Sequence, residues 1–139
     1  MVNGMSNRSA QPRRIYGRQL SVYTPVHVVC RDSRAAAEAY YDHYAIDFAD
    51  SGAVDTYIAE NSRSGKPALA AAMRRERKRI AGGFGSYGIV GSAADVADQI
   101  LELHRAGFSG LSLSFVDFLG ELPYFLEAVV PRLEAAGIR

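Results

Sequence analysis

Apolar and polar positions along the chain change period several times, and each change predicts a different element. From Val22 to Val29 β-branched residues dominate, which predicts a strand, although Pro25 argues against a central place unless the ladder is interrupted there. Asp32 or Ser33 can then cap a helix. Ala37, Tyr41, Tyr44 and Phe48 would share one of its faces. Residues 49–67 contain Gly52, Gly65 and Pro67 and read as mostly loop, with room for one short helical turn. A second helix is expected from Pro67 or Ala68 to Ala81, ended by Gly82 and Gly83.

The last third carries the clearest pattern. Gly88-Ile89-Val90-Gly91 reads as a short buried strand. Ser92 is placed to cap the next helix with Asp95 three residues on, and Val96, Ile100 and Leu103 form its apolar stripe before Gly107. Gly110 to Val116 alternates Leu111, Leu113 and Phe115 with Ser112, Ser114 and Val116, a period of two. A final helix striped by Leu122, Leu126, Val129, Val130 and Leu133 closes near Gly137. Strands alternating with helices imply parallel strands joined by right-handed crossovers. The expected fold class is therefore α/β: about three parallel strands with flanking helices and a helical insertion, a partial barrel of the TIM type. Residues 1–18 show neither period and read as a loose arm, with the folded part spanning 19–139.

Composition narrows the function. The chain has 139 residues, against roughly 250 for a complete eight-stranded barrel, and 48% of them are hydrophobic, enough for a core. Sixteen basic side chains face fifteen acidic ones, so charge gives no reason to expect nucleic acid or an acidic membrane surface. No apolar run reaches the ~18 residues of a membrane span, and residues 1–18 lack the apolar segment of a secretory signal. A cytoplasmic protein is the expectation, and Cys30, the single cysteine, fits a reducing compartment.

The residues Gly82 to Leu133, GGFGSYGIVGSAADVADQILELHRAGFSGLSLSFVDFLGELPYFLEAVVPRL, carry a resemblance. Val90-Gly91-Ser92, Val96-Ala97, Ala106-Gly107-Phe108, Ser114-Phe115 and Leu122-Pro123-Tyr124-Phe125 together resemble the C-terminal end of the luciferase-like flavin-dependent monooxygenases. The branch most similar holds the alkanesulfonate and dimethyl sulfone monooxygenases. Gly17 to Pro25, with the Val-Val-Cys strand and the Ala-rich helix behind it, extends the resemblance over residues 17–139. Ala93 and Gly88 stand where the family usually has proline.

The resemblance implies monooxygenation with oxygen and reduced flavin mononucleotide (FMN) supplied by a separate flavin reductase. It implies Tyr87, Gly91 and Ser92 as cofactor-binding residues, and gives no residue here a catalytic role. The family's earlier βα units, which carry most of its flavin pocket, have no counterpart in this sequence. It thus implies a truncated chain that acts in a homo-oligomer or with a complementing chain. The alternatives are a non-catalytic flavin-binding or assembly protein of the same descent, and a gene fragment without its own function.

Individual residues each carry a plainer reading. Gly83 to Gly88 spells G-x-G-x-x-G, but a helix precedes it and a strand follows, the reverse of a dinucleotide fingerprint. A flexible loop is expected, serving as a lid over the flavin or simply as a linker. Ser92 could contact an anion at a helix start, against the commoner role of an N-cap. Packing is the reading for Ser112 and Ser114. Cys30 reads as a small buried apolar residue. His27, His43 and His104 lack metal-ligand spacing and read as structural or surface residues, so no metal is expected. The run Arg74 to Arg79 could bind an anionic group, but it reads as a solvated helix face.

Overall fold

The computed structural model describes residues 20–63 and 67–138. The expected arm at 1–18 lies outside the described residues. Among the described residues there are three parallel strands: β1 (Tyr23–Cys30), β2 (Tyr87–Gly91) and β3 (Gly110–Ser114). Between β1 and β2 come α1 (Arg34–Asp42), a π-helical turn (His43–Asp47), α2 (Ser51–Ser62), α3 (Pro67–Arg75) and α4 (Arg77–Gly83). Helix α5 (Ala93–Arg105) joins β2 to β3, and α6 (Phe118–Ala128) and α7 (Val130–Ala135) follow.

The sheet is open, with the order β2-β1-β3. Strand β1 is flanked by both others, whereas in a closed cylinder the strand second in sequence would stand between its neighbours. The chain moves one way from β1 to β2 and back past β1 to reach β3. Right-handed crossovers in opposite directions place their helices on opposite faces. The packing shows this. Val26, Val28 and Cys30 join Ile89, Val96, Ile100, Phe125, Val129 and Leu133 in the main core under α5, α6 and α7. His27, which alternation turns to the other face, meets Tyr41, Tyr44 and Gly83 of the α1–α4 layer.

Pro25 is compatible with this central strand because pairing is staggered. The Val22 carbonyl accepts from Ser109 on the β3 side, and the Arg31 N–H donates to Gly91 on the β2 side. Backbone groups alternate in direction along a strand, so residue 25 faces β2. Pairing with β2 begins only at Val26. The missing N–H of Pro25 therefore costs no ladder bond.

Four expectations are corrected. Residues 49–67 are not mostly loop, since α2 occupies twelve of them. Asp50 caps it by accepting from the Ala53 N–H at 2.9 Å, and Val54 and Ile58 bury against Ile80 in a second small core. The first helix widens into the π turn, closed by Phe48 N–H to His43 C=O at 3.0 Å, and Phe48 stays 74% exposed. The second helix breaks at Glu76 into α3 and α4. The last helix breaks at Val129, before Pro131, whose ring removes a donor. Its buried stripe is Phe125, Val129 and Leu133, while Leu126 points out.

Candidate functional site

Two features meet near the C-terminal ends of β1 and β3. The first is a buried polar network built on His27, which is 5% exposed in the middle of the sheet. Its Nδ1 lies 3.1 Å from Ser114 Oγ on β3, and its Nε2 lies 2.7 Å from the Tyr44 hydroxyl in the π turn. Ser114 Oγ also lies 3.2 Å from the Val26 carbonyl, which can only accept. Burial lowers the His27 pKa below its ordinary value, with the Glu121 charge opposing. Burial likewise pushes the Tyr44 phenol well above its usual range, aided by Tyr41. A neutral imidazole and a protonated phenol in contact form an acid–base pair removed from water.

The second feature is a cleft of about 420 Å³ lined by Cys30, Arg31, Asp32, Tyr40, Glu121 and Tyr124, among others. It lies where the chain leaves β1 and β3, the point at which an open α/β sheet changes winding direction and commonly binds ligands. Arg31 spans it. One guanidinium nitrogen donates to Glu121 Oε1 at 2.5 Å and another to the Cys30 carbonyl at 2.8 Å, with the group's carbon 3.8 Å from the centre of the Tyr40 ring. Glu121 Oε2 accepts from the backbone of Val116 and Asp117 at 3.1 and 3.3 Å. Burial raises the Cys30 thiol above its ordinary value, against the pull of Arg31. That thiol is held as a neutral, inert group.

The three cofactor-binding residues named from the sequence are not brought together. Gly91 and Ser92 sit at the C-terminal end of β2, and Tyr87 at its start, about 13 Å away at the rise of a parallel strand. Ser92 caps α5 in a full capping box: its N–H and hydroxyl both donate to Asp95 Oδ2, at 2.9 and 2.7 Å. Ser92's hydrogen bonds, followed by the Arg34 guanidinium at 2.6 Å, hold the Asp95 carboxyl down to about 2. The Asp95 carboxylate, paired with Arg34, thus engages the Ser92 hydroxyl and N–H that an anion at this helix start would use. The cleft offers a phosphate no better, since Asp32, Asp117 and Glu121 outnumber Arg31, which is already paired. The described residues do not fit reduced FMN.

The remaining candidates resolve simply. The glycine-rich segment folds as a tight turn: Phe84 and Gly85 adopt left-handed conformations (φ 52° and 77°), and Ser86 N–H returns to the Gly83 carbonyl at 2.9 Å. The basic run is tied down by ion pairs of Arg77 with Asp55, Lys78 with Asp42 and Arg79 with Glu76. His43 packs on Phe48, their rings 4.5 Å apart. Among the described residues no three His, Cys, Asp or Glu side chains converge to hold a metal ion, and no helix is long and apolar enough to cross a membrane.

His27 is a candidate that the sequence reading placed among structural or surface residues. Its signal was there: a polar side chain inside the apolar run Val26–Val29, two residues after Pro25. What the sequence could not show was that Tyr44 and Ser114 arrive at its two nitrogens.

Parallel strands joined by helical crossovers, with polar groups gathered at their C-terminal ends, define an α/β unit of the kind that builds (β/α) enzymes. The family model for the luciferase-like monooxygenases matches residues 5–110, and the chain belongs to that family. The match begins inside the segment read as an arm and covers β1 and β2 together. Among solved structures, the crystal structure of DmoA from Hyphomicrobium sulfonivorans superposes with a TM-score of 0.65 at 22% identity, over 85% of this chain and 30% of that one. The chain thus spans under a third of that relative, and the likeness is one of fold. No curated protein sequence matches.

Proposed function

We propose that this chain supplies the C-terminal βα units of a flavin-dependent monooxygenase, in the branch of the alkanesulfonate and dimethyl sulfone enzymes. It would act on oxygen with reduced FMN from a separate reductase. The observation that carries the reading is the family match across residues 5–110. The absence of a phosphate cradle among the described residues supports assigning flavin binding to units outside them, in a complementing chain. Within the assembly His27 is the chain's acid–base group, because it is neutral, shielded and hydrogen-bonded at both nitrogens. Its part is to hold or take up a proton midway along β1, beside the end of β3, and the surrounding layers exclude water from it.

The test is reconstitution. The full chain is purified alone and also co-expressed with the part of DmoA that precedes the matched segment, and reduced FMN is titrated anaerobically into each. Stoichiometric binding by the pair, absent from the chain alone, is the expected result. His27→Gln in the pair should then slow reductase-dependent oxygen consumption while leaving flavin affinity unchanged. Tight flavin binding by the isolated chain, or none by a stable pair, would refute the proposal. A second reading, a non-catalytic assembly protein, gains support from the acidic cleft and predicts binding by the pair with no effect of His27→Gln.

A further inference from the structure

The wide turn at His43–Asp47 puts the Tyr44 hydroxyl 2.7 Å from His27 Nε2. The opposite nitrogen, Nδ1, faces Ser114 Oγ, whose single proton has a carbonyl to satisfy at Val26. If that hydroxyl donates to Val26, only its lone pairs are left for Nδ1, and Nδ1 then carries the ring proton while Nε2 is bare. The Tyr44 phenol, kept protonated by its surroundings, then donates to that bare nitrogen. A phenol can give or accept, so the Tyr44 contact is consistent with this tautomer and, at 2.7 Å against 3.1 Å, is the shorter of the two; the chain of donors then runs in one direction, Tyr44 to His27 to Ser114 to Val26.

We infer that Tyr44 is a positioning residue that holds His27 in the Nδ1–H form, so that Nε2, on the side of the α1 layer, is the nitrogen that takes up a proton. For its significance the inference rests on the acid–base reading of His27, but its test does not. Most proteins settle the same question with a backbone carbonyl or a carboxylate at the other nitrogen. Here the fixing group is a phenol delivered by a π turn, a device that recurs at functional sites. Titratable and charged groups on every side define the setting: Tyr41 and Tyr44 from the helical layer, Glu121 from α6, and Lys78 above the Tyr41 ring.

Long-range proton–nitrogen correlation spectra of the ¹⁵N-histidine-labelled full chain read the tautomer directly, with His43→Gln and His104→Gln assigning the other two rings. At pH 8 His27 should show a protonated Nδ1 and an unprotonated Nε2. In Ser114→Ala that pattern should persist, because Tyr44 still donates to Nε2. In Tyr44→Phe the neutral ring loses its donor, so the midpoint of His27 protonation should rise by roughly half to one pH unit. A protonated Nε2 in the wild-type chain overturns the inference. So does a switch to that form in Ser114→Ala, which would make the serine the lock, or an unchanged midpoint in Tyr44→Phe. If Tyr44→Phe does not fold, the wild-type and Ser114→Ala spectra decide alone. Failure of the broader reading looks different: His27→Gln would leave turnover of the reconstituted pair intact although the tautomer is as inferred.

Discussion

The two faces of β1 are built from alternate residues of one strand and are held by different forces. Val26, Val28 and Cys30 enter a core whose other members are aliphatic or aromatic, closed by α5, α6 and α7. His27, one residue away from two of them, enters a layer of tyrosines and glycines where hydrogen bonds fix positions. The first face tolerates no loss of volume, and the second tolerates neither added volume nor an unpaired polar atom. Apolar packing is therefore concentrated on one side of the sheet and the buried polar network on the other.

The largest effect expected from breaking this division is on the apolar face. Phe125 is 4% exposed and meets the Phe115 ring edge-on, with centroids 5.6 Å apart. Phe125→Ala removes that contact and opens a cavity between α6 and the sheet, which should cost about 3–5 kcal/mol in urea unfolding. The geometry at His27 should survive in whatever fraction remains folded, so the tautomer spectrum should be unchanged.

On the polar face the sensitive position is a glycine. A Cβ on Gly83 would lie 2.8 Å from both Cβ and Cγ of His27, a rigid part of a strand residue that cannot swing away. Gly83→Ala must push α4 off the sheet, and overpacking of this kind costs roughly 1–3 kcal/mol. Unlike Phe125→Ala, it should also lengthen the Tyr44–His27 contact and alter the His27 nitrogen signals. A variant that loses stability without moving those signals would show that the helical layer does not hold the network.

How much of this was legible beforehand divides along the same line. The apolar face was readable because periods of two and 3.6 report burial directly: Leu111, Leu113 and Phe115, and Val96 and Ile100, stand where their spacing put them. In the last helix Val129 and Leu133 are buried where expected, and Phe125 takes the place expected of Leu126. The polar face was not readable. Helix α2 was hidden by Gly52 and by an apolar pattern of only Val54 and Ile58, which bury against Ile80, a residue far along the chain. Strand order is a long-range property, and no local pattern states that β1 rather than β2 is central. His27 looked structural because its partners lie 17 and 87 residues away.

Ser92 separates a cap from a ligand site. Its hydroxyl accepts from the Asp95 N–H at 3.3 Å while donating to that residue's carboxylate. Ser92→Ala should cost about 1 kcal/mol, the usual worth of an N-cap. It should leave reduced-FMN affinity of the reconstituted pair untouched, and a tenfold weakening there would restore Ser92 to the cofactor site named from the sequence.

The smallest effect is the dependence of stability on pH, and its sign follows from His27. The folded ring has a pKa below its value of about 6.5 in an unfolded chain. Between the two values the unfolded state binds more protons than the folded one, so stability rises with pH in that window. The contribution is complete above about 6.5 and is lost as pH falls through the lowered folded value. Protonation would also place a second proton on Nε2, opposite a Tyr44 hydroxyl that has been donating to it, so that hydroxyl must turn to accept. The urea midpoint of the wild-type chain should therefore drop on acidification from pH 7 to 5, and His27→Gln should flatten that part of the curve while leaving the drop caused by carboxylates below it. Tyr44→Phe should move the same inflection to higher pH, because the folded ring then charges more easily. A wild-type curve that is flat across this range would mean that water reaches the ring and that the face holding it is open.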